Sequence, residues 1–223
     1  MRDLVLRGDM APPPEPVQDK LFSLHRRIAL LLERRQGSIV QFASSQRGRD
    51  SSKLILELAK LTAQRLNRKI LLLAIGPVPY NLPNGAGKQA PDDYWEKAVQ
   101  GGLVVEDLIH PIGDTGLSFC QIGNSKTNLP TFLDNPRFDV FMGLLRSRFD
   151  MVLVDCPPMA ESSIAARIAN TSDGVVFIVD AGKTRWQVVR NQIREVHANR
   201  GNVLGVVLNK RKFYIPDFIY KRL

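Results

Sequence analysis

Two segments of the chain carry residue types that could bind a nucleotide phosphate. The first, residues 43–52 (ASSQRGRDSS), lies between a short apolar run and a helical pattern, where a nucleotide fold carries the phosphate loop G-x-x-x-x-G-K-[ST]. In that loop backbone amides surround the phosphates, a lysine neutralises them and a hydroxyl holds magnesium. Gly48 matches the second glycine and Ser52 matches the hydroxyl, whereas Ser51 stands at the lysine position.

The charges around this loop leave its role open. Arg47 and Arg49 are cations that could reach a phosphate. An arginine on a loop is, however, a poor replacement for a lysine held at the start of a helix. Asp50 places a negative charge near the predicted helix N-terminus, where it competes with an anion for the same dipole. A capped turn that binds no phosphate fits the segment equally well. The candidate phosphate-loop positions are Arg47, Gly48, Arg49, Ser51 and Ser52.

The second segment is an apolar run that ends in a carboxylate, Asp155. Open α/β sheets place their ligand groups at the carboxyl ends of strands, and in a working nucleotide hydrolase such an aspartate orients magnesium water. Asp155 is therefore the candidate magnesium ligand, on condition that a nucleotide binds. The alternative is a carboxylate that caps Ser162 or Ser163 or stabilises the turn at residues 157–158. Asn209, which follows the last predicted strand, could pair with an adenine edge or be a turn residue.

Apolar runs and helical patterns alternate along the chain and position these residues. Strands are predicted over residues 38–43, 69–75, 117–122, 151–155, 174–180 and 203–208. Helices are predicted over 19–36, 54–66, 93–100, 104–110, 136–148, 160–170 and 184–199, the first of them ended by Gly37. This alternation predicts βαβ units and an α/β fold, a P-loop-type three-layer α/β/α domain with a mostly parallel sheet over residues 19–223. Residues 1–18, with the proline-rich run 11–16, are predicted to form a flexible lead-in.

Composition narrows the possible environments and partners. The chain has 223 residues and a net charge of +9, with basic ends around an acidic middle, which favours an anionic partner or simply a solvated basic face. No apolar stretch reaches the length of a membrane span and no cleavable signal is visible, so a cytoplasmic protein is expected. The two cysteines predict neither a disulfide framework nor a zinc site.

Several motifs together resemble the bacterial tyrosine autokinases, the cytoplasmic partners of polysaccharide co-polymerases in capsule and exopolysaccharide synthesis. The resemblance covers about residues 20–223 and is strongest in the second half, in FDMVLVDCPP (149–158), SDGVVFIV (172–179), AGKT (181–184) and LGVVLN (204–209). It implies a fold shared with the septum-site and plasmid-partition ATPases. It also implies magnesium-ATP as the cofactor, Asp155 on the metal and a membrane-embedded co-polymerase as the partner.

The departures from that family's pattern concern its chemistry. The phosphate-loop lysine falls on Ser51, and the D-x-D motif after the second strand falls on residues 74–76, which read Ala-Ile-Gly. The N-terminal E-x-x-R-x-x-R motif is matched only at Arg26, and the last residues hold two tyrosines rather than a cluster. Because phosphoryl transfer depends on neutralising the γ-phosphate, these losses predict a large loss of rate.

These observations lead to one interpretation and two rivals. We predict a degenerate autokinase-like protein, with no cofactor or weak magnesium-ATP or ADP binding, that acts as a cytosolic partner or regulator of exopolysaccharide synthesis and export. It is expected at the inner membrane through a polysaccharide co-polymerase and an anionic membrane surface, without nucleic acid as a partner. The rivals are an active autokinase with a non-standard phosphate loop, and a partition-type protein that binds DNA or membrane.

Overall fold

The structure is a computed structural model that describes residues 15–33, 36–44, 49–76, 80, 82, 108–123, 129–159 and 164–210. Its strands are β1 Ser38–Ser44, β2 Ile70–Ile75, β3 His110–Pro111, β4 Leu117–Ile122, β5 Met151–Cys156, β6 Gly174–Asp180 and β7 Val203–Asn209. Its helices are α1 Glu15–Leu31, α2 Arg49–Leu66, α3 Leu129–Leu133, α4 Pro136–Arg148, α5 Ile164–Ala169 and α6 Trp186–Ala198.

The seven strands form one sheet in the order β3-β4-β2-β5-β1-β6-β7. All neighbouring pairs are parallel except β3 and β4, which are antiparallel. The central strands β1, β2 and β5 are buried along their whole length, which explains why β2 and most of β5 read as continuous apolar runs. The prediction of an α/β domain with a mostly parallel sheet is confirmed.

Two apolar layers pack on the two faces of this sheet. One contains the buried side chains of α3, α4, α5 and α6, and the other those of α1 and α2. On β5 the alternation assigns Val152 and Val154 to the first layer and Met151 and Leu153 to the second. Asp155, the next odd position on this strand, lies on the face that α2 covers.

The predicted elements differ from the observed ones mainly at their ends. Helix α1 begins at Glu15, inside the predicted lead-in, because a proline such as Pro16 is tolerated in a first helical turn. The same helix ends at Leu31, so Gly37 does not end it. His110, predicted as the last residue of a helix, instead forms the antiparallel edge strand β3 with Pro111, and α3 was not predicted. The helix predicted at 93–100 lies outside the described residues.

Among the described residues, none of the helices is both long and apolar enough to cross a membrane.

Candidate functional site

The candidate site lies where β5 ends between its two neighbours in the sheet. In the strand register Asp155 is adjacent to Phe42 of β1 on one side and to Ala74 of β2 on the other. Ala74 and Gly76, the two positions of the missing D-x-D motif, therefore stand beside the one predicted metal ligand. Within the described part of the chain, no group of three or more histidine, cysteine, aspartate or glutamate side chains is placed to hold a metal ion.

Asp155 is hydrogen-bonded to two hydroxyl groups of the protein. The Tyr80 hydroxyl donates to Asp155 Oδ2 at 2.6 Å, which is the short range of a charge-assisted O–H···O⁻ bond. Ser52, in the first turns of α2, makes a second side-chain hydrogen bond with the same carboxylate. Asp155 is 4% exposed and Ser52 is 8% exposed, so α2, β5 and the segment after β2 meet at a buried polar contact.

Burial governs the protonation of this contact. It raises the pKa of Asp155 above its ordinary value, and the hydrogen bonds from Ser52 and Tyr80 oppose that rise by stabilising the carboxylate. Burial and the neighbouring Asp155 carboxylate also raise the pKa of Tyr80 well above its ordinary value. Tyr80 is therefore protonated at neutral pH and serves as the donor of the hydrogen bond.

Tyr80 is the residue at this candidate site that the sequence analysis does not single out. Its ring packs edge-to-face against buried Phe119 of β4, with centroids 5.4 Å apart and planes inclined by 70°. It lies in residues 76–92, a segment rich in proline, glycine and asparagine in which the sequence predicts neither a strand nor a helix. A single aromatic residue a few positions after a strand end, in a segment otherwise made of turn residues, was the available signal.

A second polar cluster lies at the neighbouring strand ends. The Lys210 ammonium forms ion pairs with Asp180, at the end of β6, and with Asp50, in the first turn of α2. The Asn209 side-chain amide donates to Asp180 Oδ1 at 3.2 Å, and its oxygen accepts from the Lys210 backbone amide at 3.0 Å. The hydrogen bond from Lys210 lowers the pKa of Asp50, and the same contact raises the pKa of Lys210.

The structure brings together some of the predicted site residues and leaves others untested. Ser52 and Asp155 lie together at this site, whereas Asn209 belongs to the second cluster with both ends of its amide engaged. Ser51 is buried in the first turns of α2, and Asp50 lies inside that helix rather than at its cap. Arg47 and Gly48, the side chain of Arg49, and the alternative partners Ser162 and Ser163 lie outside the described residues.

Comparison with known proteins identifies which domains share this arrangement of elements. The kinase domain of VpsO superimposes with a TM-score of 0.73 at 21% identity, over 88% of this chain and 96% of that domain. The tyrosine-protein kinase CpsD of Streptococcus agalactiae is 26% identical over 112 residues, which are 50% of this chain and 48% of CpsD. The succinoglycan biosynthesis transport protein ExoP of Rhizobium meliloti is 37% identical over 65 residues, 29% of this chain and 8% of ExoP. No protein-family model matches the chain.

The resemblance to the bacterial tyrosine autokinases is confirmed. The chain is a tyrosine-kinase-like α/β domain of the P-loop type, and it spans about half the length of the CpsD relative that it matches.

Magnesium, which this fold class implies, does not fit the site as it stands. Mg²⁺ needs oxygen ligands at about 2.0–2.1 Å in a nearly octahedral shell and usually keeps several waters. Asp155 Oδ2 already accepts the Tyr80 hydroxyl at 2.6 Å, and the adjacent strand residues are Phe42 and Ala74. A metal on this oxygen would have to compete with the Tyr80 hydroxyl for it.

Proposed function

We propose that this kinase-like domain does not transfer phosphate and acts as a partner or regulator in exopolysaccharide synthesis and export. The observation that carries the proposal is the state of the metal-side positions. Ala74 and Gly76 stand where the autokinases have carboxylates, and the remaining Asp155 is buried and hydrogen-bonded to Tyr80 and Ser52. A carboxylate engaged in this way would bind a metal–nucleotide complex only in competition with the Tyr80 hydroxyl.

The phosphate side supports the same proposal. Phosphoryl transfer relies almost entirely on positioning and on neutralisation of developing charge, and the lysine of the loop is the main cationic contact to the phosphates. At its position the chain has Ser51, which is 9% exposed and within α2. Lys210, one of the cations near the start of this helix together with Lys53 and Lys183, is ion-paired to Asp50 and Asp180. Its charge is therefore compensated by the protein.

The polysaccharide context comes from the relatives. ExoP is named as a succinoglycan biosynthesis transport protein, and CpsD and VpsO share the kinase-like sequence or fold. We propose that a membrane-embedded polysaccharide co-polymerase is the partner of this domain. In such a complex a kinase fold without turnover serves as a docking module, because its recognition surface depends on packing that the missing catalytic groups do not affect.

The first prediction concerns nucleotide binding. Titration of the wild-type chain with magnesium-ATP and magnesium-ADP by calorimetry should give a dissociation constant in the millimolar range or no measurable heat, because the lysine and two carboxylates are missing. Incubation with ATP should produce no phosphotyrosine. Low-micromolar affinity, or a phosphotyrosine signal that grows with ATP and disappears in Asp155→Asn, would establish the active-kinase rival instead.

The second prediction concerns the membrane partner. Arg26 and Arg27 are exposed on α1, and basic residues close to an anionic membrane contribute about 1 kcal/mol each. Lys210 belongs to the basic end of the chain, but its charge is compensated by ion pairs with Asp50 and Asp180. The protein is expected to be partly recovered with inner membranes, to be released by salt, and to be mostly lost from membranes when the co-polymerase gene is deleted.

Charge-reversal variants test whether the basic residues of α1 contribute to the recovery of the protein with membranes. The double variant R26E/R27E should lower membrane recovery, whereas the matched control R190E/R194E, on helix α6 at the opposite face of the sheet, should not. Recovery that is unchanged without any co-polymerase would identify lipid alone as the partner. A wholly soluble protein in wild-type cells would contradict both forms of the proposal.

A further inference from the structure

We infer that Tyr80 is a built-in occupant of the magnesium position, so that the site is closed by the protein itself rather than merely weakened by lost residues. The inference rests on the proposed function, in which this domain does not turn over ATP, and it adds a cause that can be reversed by one substitution. Ala74, Gly76 and Ser51 stand where the groups of the family's motifs are missing, whereas Tyr80 is a group that is present beside the remaining carboxylate.

The two contacts of Asp155 define the position that Tyr80 takes. In P-loop proteins magnesium is held between the hydroxyl of the loop and an aspartate at a strand end. Ser52 and Asp155 are those two groups here, and they are hydrogen-bonded to each other. The Tyr80 hydroxyl donates to the same carboxylate at 2.6 Å. Its proton therefore provides the positive partial charge that a bound cation would otherwise bring to the carboxylate.

The remainder of the tyrosine side chain fills the approach to this carboxylate. Its ring packs on Phe119, which is fully buried, and joins the apolar layer under α1 and α2. Asp155 is 4% exposed, so a magnesium ion with its octahedral shell would have to compete with the Tyr80 side chain for access to this carboxylate. Tyr80 therefore obstructs a metal in two ways. Its hydroxyl donates to the acceptor oxygen of Asp155, and its ring occupies the space beside that carboxylate.

This arrangement also connects elements that a metal–nucleotide complex would connect. Ser52 belongs to α2, Asp155 to β5, and Tyr80 to the segment that follows β2. Three parts of the site are linked through one carboxylate by groups of the protein itself.

Removal of the tyrosine side chain should restore cation binding, with Mn²⁺ as a paramagnetic probe. In Tyr80→Ala, Mn²⁺ should selectively broaden the amide resonances of residues near Asp155, with an apparent affinity about tenfold to a hundredfold above that of the wild type. This range corresponds to the loss of one competing hydrogen bond to a charged group. Tyr80→Phe, which keeps the ring and loses the hydroxyl, should give a smaller gain because the volume stays occupied.

Two further variants make the test specific. Phe119→Leu removes aromatic packing next to Tyr80 but keeps its hydroxyl, and it should gain no Mn²⁺ binding. The double variant Tyr80→Ala/Asp155→Asn should lose the additional Mn²⁺ affinity that Tyr80→Ala gains. The inference is overturned if folded Tyr80→Ala and Tyr80→Phe, checked by their amide spectra, bind Mn²⁺ no better than the wild type. Broadening that persists in the double variant would overturn it as well.

The result is distinguishable from a failure of the proposed function. Tight magnesium-ATP binding by the wild-type chain would refute the non-catalytic role, whatever the variants do. Weak binding by the wild type with no gain in either tyrosine variant would leave that role intact and refute only the occupancy by Tyr80.

Discussion

Tyr80→Phe is expected to lower the free energy of unfolding by about 2 kcal/mol near neutral pH, because it removes the donor from a buried, charged acceptor. The hydroxyl lies 2.6 Å from Asp155 Oδ2, and this carboxylate is almost completely buried. Ser52 remains as its second partner. Chemical denaturation of both proteins in the same buffer gives the difference directly.

The pH dependence of this cost has a definite sign. The pKa of Asp155 is raised by folding, so the stability that this carboxyl contributes is complete below its unfolded pKa and is lost as the pH rises through its folded pKa. The Tyr80 hydroxyl opposes that rise, and its removal raises the folded pKa further. The cost of Tyr80→Phe should therefore be smaller in acid and larger at neutral pH, measured below about pH 9 so that tyrosine ionisation does not contribute.

A double-mutant cycle isolates the contact. In an Asp155→Asn background the acceptor is neutral, and Tyr80→Phe should cost about 1 kcal/mol or less. The single change Asp155→Asn should flatten the pH dependence, because the titrating group is gone. An equal cost in both backgrounds would show that the hydroxyl does not act through its hydrogen bond to Asp155. The hydroxyl would then stabilise the packing of its own ring against Phe119.

Gly37→Ala is expected to lower the free energy of unfolding by about 3 kcal/mol or more. Gly37 has a φ of +69°, and a Cβ atom built there would overlap the carbonyl oxygen of Arg146 in α4. The backbone is fixed on both sides, since the Gly37 amide donates to the Asp150 carbonyl at 3.0 Å and its carbonyl accepts from Arg146. The start of β1 cannot move away from α4 without losing these bonds.

Gly182→Ala is the matched control for this change. Gly182 has a similar φ of +76°, and a Cβ atom there would meet nothing within 4 Å. Gly182→Ala should lower the free energy of unfolding by only about 1 kcal/mol, because an alanine adopts a left-handed backbone conformation less readily than a glycine. Similar losses at the two glycines would contradict the steric part of the argument at Gly37.

The sequence alone was sufficient for the fold class and for the bounds of several elements. The strands at 117–122 and 174–180 and the helix at 136–148 were predicted with their observed bounds, because apolar periodicity and Pro136 are local signals. Motif spacing singled out Ser52 and Asp155 separately, and their roles toward a nucleotide and magnesium stay predictions. Resemblance identified the kinase-like family through segments that form β5, β6 and β7.

Other features depended on the order of strands, which the local pattern does not contain. Tyr80 and Asp155 are 75 residues apart, and they meet only because β2 lies directly beside β5 in the sheet. Lys210 reaches Asp50 and Asp180 because β7 pairs with β6. Gly37 looked like a helix end, but its conformation is required by the close approach of α4, more than a hundred residues along the chain. Such long-range contacts gain their free energy only when the whole sheet is assembled, so the tertiary structure alone determined how this site is closed.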